Sequence, residues 1–391
     1  MSQCMQGIRV LDLTRVLAGP WAAMQMADQG ADVIKIEPPG GDETRAFGPV
    51  IDGHSTYFVA SNRNKRSIML DLKTDAGREV LYALSADADV LLQNFRPGVA
   101  ERLGFDFDTL TERFPRLVYV AIHAFGDDPA VPDSRRPGYD LVLQCMGGTV
   151  SIGGFPGSAP TRSGVSVADH SAGMIAVQAV LMGLLQRERT GRGQKIVVNM
   201  LQVQASTLSY HVTRYTVTGD VEQQRGNAHA GLCPYDIYPC QDGWLAVACG
   251  NDAIWQRLRT ELELPDRADW STNLKRVSSR QTVDEAVRTA LGQCSVHEAD
   301  RRLAAAGVPC GAVYDIPRTV AHPATHLVTV PHAHFGSVSA MGPLLQTETT
   351  VTEHRAAPML GEHCSELLAE AGLADEEARL RAAGAFGESS G

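Results

Sequence analysis

What most constrains this chain is a regular alternation of apolar strand-type runs and helix-compatible stretches from its start to residue 122. Runs at 8–13, 32–37, 67–72, 90–93 and 117–122 read as strands, and 75–86 is the clearest of the helices between them. Pro20 falls near the start of the first helix, where a missing N–H costs nothing, and Gly30 follows its end. Strands joined through helices run parallel, and successive units of this kind build an α/β sheet with its ligands at the carboxyl ends of the strands. The loops at 14–19 and 94–98 are therefore the first places to look for a site.

Past Gly126 come a polar, proline-rich loop, a helix-compatible stretch from Asp140 and a glycine-rich turn ending at Gly157, which reads as a loop over a site. A long amphipathic helix is expected over 169–189, then a strand at 195–200 and a helix at 201–216. Residues 226–316 change character, with a hairpin turning at Asp242 and Gly243 and helices near 253–262, 283–291 and 297–306. At 391 residues the chain has room for two domains. The expected division is a large α/β domain from 1–200, a linking helix at 201–225, a smaller α+β domain at 226–317 and a last segment at 318–391. That segment ends in a polar helix pair after Gly361.

Charge narrows the function. Lys and Arg total 35 against 45 Asp and Glu, a net charge of −10, so nothing draws the chain as a whole to nucleic acid or an anionic membrane. An anionic ligand needs a local cationic cluster. Eight cysteines without a CxxC pair suit free thiols in a reducing, cytoplasmic setting, and neither a signal segment nor a membrane span is expected, the most apolar stretch being 174–185. Motifs for dinucleotides, P-loop phosphates, zincins and hydrolase nucleophile elbows (GxGxxG after the first strand, GxxxxGK[ST], HExxH, GxSxG) are missing. His332 and His334 form an HxH pair with no carboxylate array beside it, so no metal and no tightly bound cofactor is expected.

Two places carry chemistry. Asp169 stands at the expected start of a helix, where an aspartate serves as a cap. The same helix terminus would keep its carboxylate ionised and nucleophilic, able to attack a thioester and form an anhydride. The second place is the loop Asn94, Phe95, Arg96, Pro97, Gly98, with Arg102 and Leu103 beyond it. It is either a turn leading into a helix with solvated arginines or a seat for a phosphorylated adenine nucleotide, which wants stacking and cations. Lys65, Lys73, Arg135 and Arg136 add positive charge nearby in sequence.

The segments GIRVLDLTRVLAGPWA, GADVIKIEPPGGDETR, NRNKRSIMLDL, NFRPG, PGYD, ERTGRGQ, GNAH and AAPMLGEH resemble the family III CoA-transferases. That group contains formyl-CoA transferase, carnitine CoA-transferase and α-methylacyl-CoA racemase. The resemblance spans almost the whole chain. It implies a Rossmann-like large domain built from both chain ends, so that 318–391 returns to it, a smaller central domain, and a homodimer of two chains linked like rings. It implies that Asp169 takes the acyl group from CoA as a mixed anhydride and then carries CoA as an aspartyl thioester. Val16, Leu70, Lys73, Asn94, Phe95, Arg96, Arg102, Leu103 and Arg136 match the CoA pocket, and Tyr139 matches a position beside the reacting centre. CoA thioesters and small carboxylic acids are the implied substrates.

The departures bear on substrate. Formyl-CoA transferases carry Gln where Leu17 stands, Trp where Gly48 stands, and a run of glycines where this chain reads RGNAHAG. Racemases of the family carry His at the position of Tyr139, and Tyr is a poor second base for moving an α-proton. The GNAH region is similar to relatives that exchange CoA between dicarboxylic acids such as succinate and glutarate. Arg225, Asn227 and His229 either meet a distal carboxylate or only shape a loop, and backbone amides near Gly226 are candidates for holding the thioester oxyanion. The alternatives are a racemase and a non-catalytic CoA-binding protein.

Overall fold

A computed structural model describes residues 3–349 and 353–387. Six parallel strands form its central sheet: β1 (Arg9–Asp12), β2 (Asp32–Glu37), β3 (Arg66–Met69), β4 (Val90–Gln93), β5 (Val118–His123) and β6 (Lys195–Asn199). Their order across the sheet is β3, β2, β1, β4, β5, β6. The chain winds outward from β1 in one direction and from β4 in the other. The loops after these two neighbours therefore part, and the gap between them is the ligand crevice of a doubly wound sheet.

Alternate residues of each strand feed two cores. Val10, Val33, Leu92, Val118 and Val120 pack on one face with α1 (Ala18–Ala27). Leu11, Ile34, Leu91, Tyr119 and Ala121 pack on the other with α2 (Asp75–Ser85) and with Leu367, Leu368, Leu380 and Phe386 from the end of the chain. Burial on both faces explains why the strands read as continuous apolar runs. Helix α3 (Asp140–Met146) adds Leu143 to the first core.

The helix expected over 169–189 is α4, Val167–Thr190, starting two residues earlier. It is not amphipathic in the ordinary sense. Ala168, Ala172, Gly173, Ala176, Ala179, Val180 and Gly183 are buried, while Met174, Leu181, Met182 and Leu185 on other faces are exposed. Among the described residues it is the one helix long and apolar enough to cross a membrane, more than the short stretch expected. Its small-residue face nevertheless lies in the sheet core, and Arg187 near its end is buried and bonded to Asp89 at 2.8 Å. Gly173 lets α1 approach closely, since a Cβ there would sit 2.8 Å from the Ala18 carbonyl oxygen and 2.9 Å from the Trp21 ring.

The chain divides into two compact units. The first holds 1–149, 163–210 and 326–391, and the second 150–162 and 211–325. These boundaries differ from the expected ones at 200, 225 and 317. Where one linking helix was expected, two helices occur, Met200–Ser206 and Tyr210–Thr218, broken at Ser209 with its positive φ of 45°. The glycine-rich loop joins the second unit because Gln224 Nε2 donates to the Gly153 oxygen at 2.7 Å and Gly226 N to the Gly154 oxygen at 2.9 Å. That unit carries an antiparallel sheet of β7 (Tyr235–Cys240), β8 (Gly243–Ala248) and β9 (Cys310–Ala312), with β8 central. Gly243 pairs with Cys240, so the turn lies at Gln241 and Asp242, one residue earlier than read. Helices Asp252–Glu261, Arg280–Leu291 and Val296–Ala305 close its core around Trp255, Tyr238 and Leu303. In the first unit a further hairpin, Leu327–His332 with Gly336–Met341, was not legible, being mostly exposed and interrupted by Pro331.

Candidate active site

The two loops at the crevice are stitched to each other. Asn94 Oδ1 accepts from Arg15 N at 2.9 Å, and Asn94 Nδ2 donates to the Arg15 oxygen at 2.7 Å. The Arg15 guanidinium lies 4.7 Å from the centre of the Phe95 ring and pairs with Glu43 at 3.2 Å. Val16 is held at φ 68°, a left-handed conformation that a β-branched residue adopts only when its surroundings over-determine it, at about 1–3 kcal/mol. Those surroundings include a buried ionic network. Lys35 Nζ donates to the Thr14 oxygen at 3.0 Å and to Asp42 at 2.9 Å, and Lys65 Nζ reaches Asp12 at 2.9 Å, with Pro20 O and Asn62 Oδ1 each at 2.8 Å. Burial pulls the Lys65 ammonium down to about 8 against the pull of Asp12, which leaves it charged at neutral pH.

Between these loops opens a cavity of about 200 Å³ lined by Arg15, Val16, Leu17, Asn94, Phe95, Arg96 and, across from them, His123, Arg136, Tyr139 and Asp169. Asp169 is the third residue of α4 and not its cap. The capping acceptor comes from elsewhere: Asp140 Oδ1 accepts from Ala168 N at 2.9 Å, and Gln144 Nε2 donates to Asp140 Oδ2 at 2.6 Å. Gln144 Oε1 also accepts from Ser163 N at 3.0 Å, which ties down the segment leading into α4. The Asp169 carboxylate itself accepts no hydrogen bond among the described residues.

The helix terminus does not keep Asp169 in the ordinary carboxylate range. Burial and then the like charge of Asp140 push it up to about 7. Tyr57 stands near the same charges, its hydroxyl raised by burial and then by Asp169, Asp140 and Asp42. A carboxylate that must be ionised to attack gives kcat/KM an acidic limb at its own pKa. With Asp169 as the nucleophile, kcat/KM should rise with pH through about 7 and then level, and Asp140→Asn should move that limb downward. A profile already level from the ordinary carboxylate range upward would show that Asp169 ionisation does not limit the reaction.

A profile of the family described as CoA-transferase family III matches residues 5–364. The chain belongs to CoA-transferase family III. It is therefore a transferase enzyme. The succinate–glutarate CoA-transferase of Agrobacterium fabrum is 37% identical over 382 residues, covering 94% of this chain and 95% of the relative. The succinyl-CoA:mesaconate CoA-transferase of Haloarcula hispanica is 35% identical over 380 residues, covering 94% and 96%. A crystal structure of a CaiB/BaiF family protein from Brucella suis matches with TM-score 0.83 at 32% identity, over 95% of this chain and 100% of that one.

In this family III CoA-transferase the residues expected around CoA separate into two sets. Val16, Asn94, Phe95, Arg96 and Arg136 line the crevice, as do Leu17 and Tyr139, the latter 61% exposed. Leu70 instead lies in the second sheet core, Leu103 packs on the edge of that core, and exposed Lys73 and Arg102 line neither crevice cavity. Alternation in β3 and the short helix after Gly98 decide these faces, and no local pattern reveals them. Lys65 holds Asp12 and is no anion site, whereas Arg135 lines the neighbouring cavity. Gly48 sits on an exposed loop outside the cavity lining.

Gly226, Asn227 and His229 belong to the second unit. The amides of Gly226, Ala228 and His229 donate to the carbonyls of Gly154, Arg225 and Tyr235, so these three are already spent and are not free oxyanion donors. Arg225 pairs with Glu222, and His229 Nδ1 accepts from Gly231 N at 3.0 Å. The residues that the sequence reading passed over are Arg15, His123, Asp140 and Tyr57. Arg15 and His123 carried a signal: each is a polar residue at or just beyond the carboxyl end of a buried strand.

Proposed function

We propose that this transferase moves CoA from a short dicarboxylyl-CoA, such as succinyl-CoA, to a free carboxylic acid, with Asp169 as covalent nucleophile. The observation that carries this is the Asp169 carboxylate lining the switch-point cavity while Asp140 does the capping. The ionised carboxylate attacks the thioester carbonyl, the C–S bond breaks, and CoA leaves as thiolate from a mixed anhydride. The thiolate then attacks the aspartyl carbonyl of the anhydride, releasing the donor acid and leaving an aspartyl-CoA thioester. The acceptor carboxylate displaces CoA from that thioester to form a second anhydride. CoA attacks its acyl carbonyl, giving the new acyl-CoA and free Asp169. Arg15, Arg96 and Arg136 line the crevice with Phe95 and suit the nucleotide and phosphates of CoA.

The dicarboxylate preference rests on the relatives that act on succinyl-CoA, glutarate and mesaconate, and on Leu17 in the cavity wall where formyl-CoA transferases carry Gln. Tyr139 in the place of a second base speaks against racemisation. Mass spectrometry of CoA exchange across a panel of donors and acids should show succinyl-CoA or another short dicarboxylyl-CoA as the best donor. Equal or faster turnover of formyl-CoA with oxalate contradicts the assignment. The exposed Met174, Leu181, Met182 and Leu185 of α4 support burial against a second copy in a homodimer. Sedimentation is expected to show a dimer at all working dilutions, and an active monomer would overturn that part.

A further inference from the structure

His123 ends β5 at the carboxyl edge of the sheet and lines both the Asp169 cavity and a neighbouring one of about 440 Å³. It is only 5% exposed, yet its Nδ1 has no hydrogen-bond partner among the described residues. Burial lowers the ring below the ordinary histidine range, so at neutral pH it carries one N–H and one lone pair. Nδ1 of the neutral ring donates if it carries the proton and accepts if it does not, according to the group that meets it. Neighbouring Lys195 pairs with Asp127 at 2.6 Å, and neither reaches Nδ1.

A polar ring nitrogen buried without a partner costs about 1–3 kcal/mol, and such an atom in a ligand crevice marks the place where a ligand supplies what the protein does not. A neutral ring suits a neutral polar group, and the amides of the CoA arm offer both an N–H and a carbonyl. We propose that His123 Nδ1 hydrogen-bonds an amide or hydroxyl group on the pantetheine arm of the CoA thioester, fixing the arm between the two cavities. This rests on the crevice being the seat of the CoA thioester.

The test compares His123→Leu, which has no hydrogen-bonding atom, with His123→Asn, whose amide head lies close to the position of Nδ1. Calorimetric titration of the purified enzyme with CoA should show about tenfold weaker binding for His123→Leu and recovery to within about threefold for His123→Asn. The KM of the acyl-CoA should follow the binding while kcat holds. Titration with 3′-phospho-ADP, which has the nucleotide but no arm, should give the same affinity in all three proteins. Unchanged CoA binding by His123→Leu overturns the proposal, as does an equal loss of 3′-phospho-ADP, which would mean that the ring only shapes the crevice. A wild-type enzyme that binds no CoA overturns the underlying reading as well, and is a separate outcome.

Discussion

Replacing Asp169 with Asn is expected to slow CoA transfer by about a thousandfold or more, the scale of losing a covalent nucleophile, with the fold and CoA binding retained. The amide has nearly the same volume but cannot open the thioester. Stability should not suffer, because the cap of α4 is Asp140 and Asp169 accepts no hydrogen bond that Asn would lose. The sign of the pH effect is checkable too. With its folded pKa raised from 3.8 to about 7, Asp169 binds more protons in the folded than in the unfolded chain across that interval. Wild-type stability therefore has a component that falls as pH rises from about 4 to about 7, and Asp169→Asn should lack it. Near-normal transfer combined with easier unfolding would make the residue structural and the mechanism wrong.

Lys65→Met is expected to destabilise the protein by about 3–5 kcal/mol, the cost of leaving a buried carboxylate without its partner. Lys65 and Asp12 are both fully buried, and the ammonium also holds the Pro20 and Asn62 oxygens. Burial works to raise the Asp12 carboxyl, and Lys65, Lys35 and Thr14 outweigh it, keeping it ionised. Urea unfolding should show the loss as a lower midpoint. Adding Asp12→Asn should restore part of it, since a neutral amide no longer needs a counter-charge. If the double variant is as unstable as the sum of the two single ones, the loss is one of packing and not of an isolated charge.

The parts legible in the sequence were those governed by local rules. Strands 32–37 and 90–93 were read to the residue because each is an apolar run between turn signals, and their parallel direction followed from βα alternation. Asp169 and the two crevice loops were likewise visible, since strand ends in such a sheet face the ligand. The rest depended on contacts between residues far apart in the chain. Asp140 reaches Ala168 across 28 positions, and Lys65 reaches Asp12 across 53, so a capping aspartate and a buried ion pair looked like an ordinary helix start and local positive charge for an anion. Leu70 follows β3 directly, and its side chain packs into the core with Leu11 and Ile34. The exposed apolar side of α4 was missed for a related reason. Small residues fill its buried face, so hydrophobicity is spread around the helix and gives no amphipathic signal.

The central claim is that Asp169 carries the acyl group. It is tested most directly by incubating the enzyme with succinyl-CoA and hydroxylamine, without acceptor acid, and mapping the modified peptide by mass spectrometry. Hydroxylamine intercepts an activated aspartyl carbonyl and leaves a hydroxamate. A hydroxamate on Asp169, absent without the acyl-CoA and absent from Asp169→Asn, is the predicted result. Continued CoA transfer with an unmodified Asp169 would contradict the account.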